Sequence, residues 1–109
     1  MRLAIVIAFA LASPALAQTQ TQQNVMTHIA RVVALSNKCA ALKPNNMILG
    51  ILMRQHGINL ERQPYSDFVV GKGGEYAREI APLDTAAACA MGRKLYGKAG
   101  EKVPDLLRD

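Results

Sequence analysis

The stretch Val25–Leu42, VMTHIARVVALSNKCAAL, decides the fold class of this chain. Its apolar side chains recur at the spacing of one face of an α-helix, and its charged side chains fall mostly on the opposite side. Asn24 is a suitable N-cap, whereas Pro44 ends the helix and holds Lys43 in an extended conformation. The apolar face comprises Val25, Ile29, Val32, Val33, Cys39, Ala40 and Leu42. We therefore expect a first helix that begins near Asn24 and turns this face towards a core.

A second helix follows directly. Asn45 or Asn46 can cap it, and Gly57 supplies a left-handed residue at its C-terminal end. The segment Met47–Met53 is apolar on almost every side, so we expect this helix to be the most buried of the fold.

The segment 66–81 allows several structures. Ser66 or Asp67 can cap a helix that runs to Ile80, but Gly71, Gly73 and Gly74 interrupt it and weaken helix propensity. The alternatives are one kinked helix, two short helices joined by a flexible hinge at these glycines, and a β-hairpin.

The sequence signals for the last helix are clearer. Asp84 is a good N-cap for a helix over Thr85–Tyr96, which Gly97 and Gly100 end. The charged segment Lys98–Asp109 contains Val103, Leu106 and Leu107, which can fold back onto the core. Together these patterns predict an all-α domain of three or four helices over residues 24–109.

The first seventeen residues have the features of an export leader. Arg2 precedes the apolar run Leu3–Leu11, and the leader ends in the small-residue pattern Ala15-Leu16-Ala17. The run is far shorter than the roughly 20 residues that cross a bilayer, so we expect cleavage after Ala17 and a location in the periplasm. The polar stretch Gln18–Gln23 is expected to be disordered.

Cys39 and Cys89 are the only cysteines. In an oxidising compartment a lone pair of thiols within reach of each other forms a disulfide. This bond would join the first and last helices.

Charge and composition limit the kinds of partner that this chain is expected to bind. Without the leader the chain carries a formal net charge of +4, because Arg2 leaves with it. A basic patch of Arg93, Lys94, Lys98 and Lys102 is expected at the end of the last helix. Nucleic acid is not an expected partner, since aromatic residues make up only 5% of the chain.

The sequence contains no recognisable catalytic set and no cofactor motif. We therefore expect a non-enzymatic binding protein without cofactors, which meets a protein partner in the cell envelope or forms a homodimer. Its partner-binding face is predicted on the second helix, because a small chain cannot cover so much apolar surface internally. That face comprises Met47, Ile48, Ile51 and Leu52.

Two other functions are consistent with the residues. The first is an acid-activated stress chaperone of the periplasm. The second is a copper carrier, since Met53 and His56 lie one helical turn apart and are ligands that suit copper.

Two families resemble parts of this chain. The pattern Cys89-Ala-Met-Gly92-Arg93, followed by Tyr96-Gly97 and Leu106-Leu107-Arg108, resembles the C-terminal end of a family of small exported alphaproteobacterial proteins of unknown function. This resemblance covers roughly the last twenty residues and the position of Cys39, and implies an all-helical exported protein with no assigned activity. The spacing of the two cysteines is also similar in outline to that of the periplasmic acid-stress chaperones, although this chain has no Trp.

Overall fold

The computed structural model of the protein describes residues 18–109. The predicted leader, residues 1–17, therefore lies outside the described residues. Four helices and a two-stranded antiparallel ribbon follow in the order α1 Gln20–Lys38, β1 Lys43–Pro44, α2 Asn46–Gln55, α3 Tyr65–Ile80, α4 Thr85–Tyr96 and β2 Leu107–Arg108. The predicted all-α class is confirmed.

Helix α1 begins at Gln20, four positions before the predicted start. The Thr19 hydroxyl accepts a hydrogen bond from the Gln22 amide, and the Gln22 side chain accepts one from the Thr19 amide, both at 3.0 Å. This capping box satisfies free amides of the first turn, so Gln20–Gln23 are helical and not disordered.

The end of α1 also differs from the prediction. The helix stops at Lys38, well before Pro44, and Cys39 has an extended backbone. The Ser36 hydroxyl donates a hydrogen bond to the carbonyl of Leu42 at 3.0 Å, which supports the turn that follows.

Helix α1 is the centre of the fold, with α3 and α4 packed on it. Its side chains at the helical spacing are buried, namely Met26, Ile29, Ala30, Val32, Ala34 and Leu35. Val33, which the sequence placed on the buried face, is instead 43% exposed.

Helix α3 is one continuous helix through Gly71, Gly73 and Gly74, so neither the β-hairpin nor two separate helices forms. It begins at Tyr65, earlier than Ser66 or Asp67 predicted. The Gln63 side chain exchanges hydrogen bonds with the amide and the carboxylate of Asp67 and thereby supports the first turn.

Helices α1 and α3 lie side by side and run in the same direction. Gly73 lies against Ala30, where a Cβ would sit 3.9 Å from the Ala30 methyl group. Towards the far end, the Lys38 ammonium donates to the carbonyl of Ala81 at 3.0 Å.

The bounds predicted for α4 are those found, and the side chain of Asp84 accepts a hydrogen bond from the Ala87 amide at its start. The Cys39–Cys89 disulfide is present, with 5.2 Å between the two Cα atoms. It confirms the predicted link between the end of the first helix and the last helix.

The C-terminal segment folds back as expected. Leu106 is fully buried and Leu107 is 2% exposed. Residue Leu107 pairs with Pro44 in the ribbon, and Asn45 donates its backbone amide to Leu106 and its side-chain amide to Asp105. Asn45 also caps α2, so one residue ties α2 to the C-terminal segment.

Candidate partner-binding surfaces

The prediction that α2 is the most buried helix is wrong. Leu49 is its only buried residue, and Met47 is 75% exposed. The more extensive helix packing in the described chain is that of α1 with α3 and with α4, which leaves α2 at the edge of the core.

The four residues of the predicted partner face do not share one environment. Ile48 and Leu52 are partly buried and pack against the core, as Met53 does. Met47 and Ile51 lie one turn apart, Met47 exposed and Ile51 half-buried outside the packed cluster. The outer face of α2 is therefore defined here by Met47 and Ile51.

The charged residues of α2 and of the sequence leading up to it are all cations, while Asp105 lies near the start of α2, where its carbonyl accepts a hydrogen bond from the Asn45 side chain. The segment from Gln18 to Leu60 contains Arg31, Lys38, Lys43 and Arg54 and neither Asp nor Glu. All eight acidic residues lie from Glu61 onwards, where they match the number of Lys and Arg. The net positive charge of residues 18–109 thus belongs to α1, α2 and the ribbon strand between them.

A second apolar surface is a groove of about 360 Å³ between α1 and α3. On its rim, Val70 is 75% exposed and Val33 is 43% exposed. Small residues form its floor and walls, among them Ala30, Ala34, Gly73, Gly74 and Ala77. Of the three glycines that the sequence offered as a hinge, two line this groove within a continuous helix.

The predicted basic patch is divided by the fold. Arg93 and Lys98 line a depression of about 500 Å³ together with Arg108, whereas Lys94 and Lys102 do not. The Arg93 guanidinium there forms an ion pair with Asp109 at 3.2 Å, and both side chains are largely exposed. Such an exposed pair is worth little energetically, and Asp105 and Asp109 offset the cations of the depression.

The structure brings together a polar contact that the sequence did not reveal. The Nδ1 atom of His28 in α1 lies 2.8 Å from the Tyr96 hydroxyl in α4. Beside it, the Arg31 guanidinium lies 5.4 Å from the centre of the Tyr76 ring, and the Tyr76 hydroxyl contacts the sulfur of Met91 at 3.4 Å. The residues of the first pair are 68 positions apart, and no local pattern signals a contact over that distance.

Burial shifts the pKa values of both residues in the contact between His28 and Tyr96. Partial burial, together with the positive charges of Arg31 and Lys102, lowers the pKa of His28 below its ordinary value of 6.5. Burial likewise raises the pKa of Tyr96 above its ordinary value. A neutral imidazole that carries its proton on Nε2 accepts the hydroxyl hydrogen of Tyr96 at Nδ1.

The copper hypothesis gains no further ligands from the fold. Met53 packs against the core, and His56 is the C-cap of α2, with its carbonyl accepting a hydrogen bond from Gln22. No group of three or more His, Cys, Asp or Glu side chains that could hold a metal ion occurs in residues 18–109.

No helix within the described part of the chain has the length and apolar character needed to span a membrane. Comparison with protein-family models, with curated proteins and with solved structures finds no match to this chain.

Proposed function

We propose that this chain is a small exported binding protein without enzymatic activity, which holds an acidic protein partner in the cell envelope through the outer face of α2. The exposed Met47 side chain carries this proposal. Met is flexible and polarisable, so it adapts to the shape of an apolar pocket on another protein.

The charge distribution supports an acidic partner. Lys43 lies just before α2 and Arg54 in its last turn, while α2 itself contains no carboxylate. A partner that presents an apolar side chain between carboxylates would therefore meet complementary charge, which speeds association and selects against basic proteins.

The location in the periplasm is part of the proposal. It is supported by the leader pattern of residues 1–17 and by the Cys39–Cys89 disulfide, since such bonds persist mainly in oxidising compartments. Intact-mass measurement of protein isolated from the periplasm should give a chain that begins at Gln18 and lacks two hydrogens. A chain that retains Met1, or that carries two free thiols, would contradict this location.

Site-specific photocrosslinking tests the binding face. We would place a photoreactive phenylalanine derivative at Met47 and, as a control, at Ala86, which is exposed in the first turn of α4. A protein adduct of one discrete mass is expected from position 47 and not from position 86. Equal adducts from both positions, or none from position 47, would refute the assignment of this face.

The purified partner then allows a quantitative test. Met47→Asp should weaken binding by about tenfold or more, because it removes an apolar contact and places a carboxylate opposite the partner's own. Ala86→Asp, with the same change of charge, should bind as the wild type does. If the chain instead binds vesicles of anionic lipid through Met47 and yields no protein adduct, the proposed partner class is wrong.

A further inference from the structure

A second surface, separate from the outer face of α2, points to an occupant of a different kind. It lies on α3, beside the groove between α1 and α3. Three turns of this helix place Asp67, Val70, Gly71, Gly74 and Arg78 on one face, because side chains three and four positions apart lie above one another.

Packing among the described residues, 18–109, does not account for the glycines on this face. A Cβ at Gly71 would meet nothing within 4 Å, and one at Gly74 would meet only the Arg78 guanidinium at 3.8 Å. Gly73 differs, because it lies against Ala30. Glycine weakens a helix, so two glycines that face open space leave room for something that residues 18–109 do not supply.

The apolar surface beside these glycines is also open. Val70 is 75% exposed on α3, and Val33 is 43% exposed on the opposite wall of the groove. An incoming helix could lie close to Gly71 and Gly74 and cover both valines.

The charges on α3 identify the helix that fits. Asp67 lies at the start of α3 and Arg78 near its end, and both are exposed. The midpoint between Asp67 and Arg78 in the sequence is also the midpoint between Gly71 and Gly74. An antiparallel copy of the same helix, related by a twofold axis at that midpoint, would place each Asp67 opposite an Arg78.

The end of α1 adds to the same complementarity. Lys38 reaches the carbonyl of Ala81, so its ammonium lies at the Arg78 end of α3. In the antiparallel pair, Asp67 of the second copy would approach both cations. The dipoles of two antiparallel helices are also favourably oriented.

From these observations we infer that the chain forms a twofold-symmetric dimer through α3, in which Val70 of each copy packs beside Gly74 of the other. The contact is isologous, since the same patch serves both copies. The dimer would carry two outer faces of α2, and so could bind a partner with repeated sites through avidity.

Charge-reversal variants test this dimer, because a variant with one reversed charge should pair with a variant that carries the opposite reversal. Sedimentation equilibrium of the purified, disulfide-bonded protein should show concentration-dependent dimers. Asp67→Arg and Arg78→Asp should each weaken self-association by about tenfold, since both ion pairs become repulsive. An equimolar mixture of the two variants should associate as the wild type does, because the mixed dimer regains two opposite-charge pairs.

Two further variants separate association from folding. Glu79→Arg reverses a charge on another side of α3, where Glu79 lines a shallow depression with Thr27 and Arg31, and should leave association unchanged. Gly74→Leu should raise the thermal stability of the monomer, since leucine favours helix and the site is open, while it abolishes the dimer.

The inference fails if sedimentation equilibrium finds the wild type monomeric at concentrations up to about 1 mM. It also fails if the mixed variants associate no better than either alone. Neither result would affect binding at Met47, so the two proposals can be distinguished.

Discussion

Gly92 and Gly50 are both inside helices, yet their surroundings differ completely. A Cβ at Gly92 would lie 2.7 Å from the Leu42 side chain and 3.2 Å from that of Leu107, whereas Gly50 has nothing within 4 Å. Leu42 and Leu107 are themselves buried, so neither can move away without disturbing the ribbon. The glycine at position 92 is therefore required by the way the C-terminal segment covers α4.

Alanine at the two positions should have opposite effects. Gly92→Ala should lower the free energy of unfolding by roughly 1–3 kcal/mol through overpacking. Gly50→Ala should raise it by roughly 0.4–1 kcal/mol, because it restricts the unfolded chain and favours helix. Urea denaturation followed by circular dichroism measures both changes. Equal effects of the two substitutions would contradict this account of Gly92.

The contact between His28 and Tyr96 makes stability depend on pH. Because the pKa of His28 is lowered in the folded chain, the unfolded chain binds a proton more readily. The contribution of His28 to stability is thus complete above the unfolded value of 6.5 and is lost as the pH falls below it towards the folded pKa.

His28→Gln should flatten this dependence, since glutamine does not titrate. Urea midpoints measured between about pH 8 and pH 5 should fall more steeply for the wild type than for the variant. Parallel curves for the two proteins would show that His28 is not the group responsible.

At the scale of elements, the start of α1 depends on one threonine. Thr19 and Gln22 cap each other, and the Gln22 side chain also donates to the carbonyl of His56 at 2.7 Å. The first turn of α1 is therefore joined to the end of α2.

Thr19→Ala should remove about 1 kcal/mol of stability and expose the amides of Gln20–Gln23 to solvent. Hydrogen exchange measured by NMR should show faster exchange in that turn, with α4 unchanged as an internal control. Protection that stays at the wild-type level in the first turn would mean that packing, not capping, holds it.

The outer face of α2 is likewise a property of an element and its neighbours. The helix is apolar nearly all round, which usually indicates burial on every side. Here α2 crosses the edge of the core, and only Leu49 is buried. The excess apolar surface is what makes α2 a binding face in the proposed function.

In the molecule as a whole, the disulfide joins the end of α1 to α4, and the C-terminal segment joins the strand before α2. Cys39 and Cys89 are separated by 50 positions, so the bond closes a large loop in the unfolded chain. The ribbon formed with Lys43 and Pro44 adds a second closure, since Leu107 and Arg108 are its other strand.

Replacing both cysteines by serine should therefore lower the free energy of unfolding by about 4 kcal/mol, the entropy cost expected for a loop of this length. Urea denaturation of the double variant and of the reduced wild type should give the same loss. A loss below about 1 kcal/mol would contradict this account and mean that residual structure already restricts the reduced unfolded chain.

Elements whose signals are local can be recognised from the sequence. Asp84 and Gly97 bound α4, Asn45 and the left-handed Gly57 bound α2, and the two cysteines left only one pairing. Caps, turns and cysteine count act over a few residues or leave no alternative, so they can be recognised without the fold. The early start of α1 was recognisable in principle, because Thr19 and Gln22 have the spacing of a capping box.

Long-range packing determines which apolar surfaces are covered, and the sequence pattern does not reveal it. Met47 and Val70 are exposed because no element of residues 18–109 lies over them, whereas Leu106 is buried because Asn45 holds the C-terminal segment in place. The contact of His28 with Tyr96 likewise depends on how α1 packs against α4. Burial depends on neighbours that are distant in the chain. A periodic sequence pattern indicates that a helix face is apolar, but it does not indicate which element packs against that face.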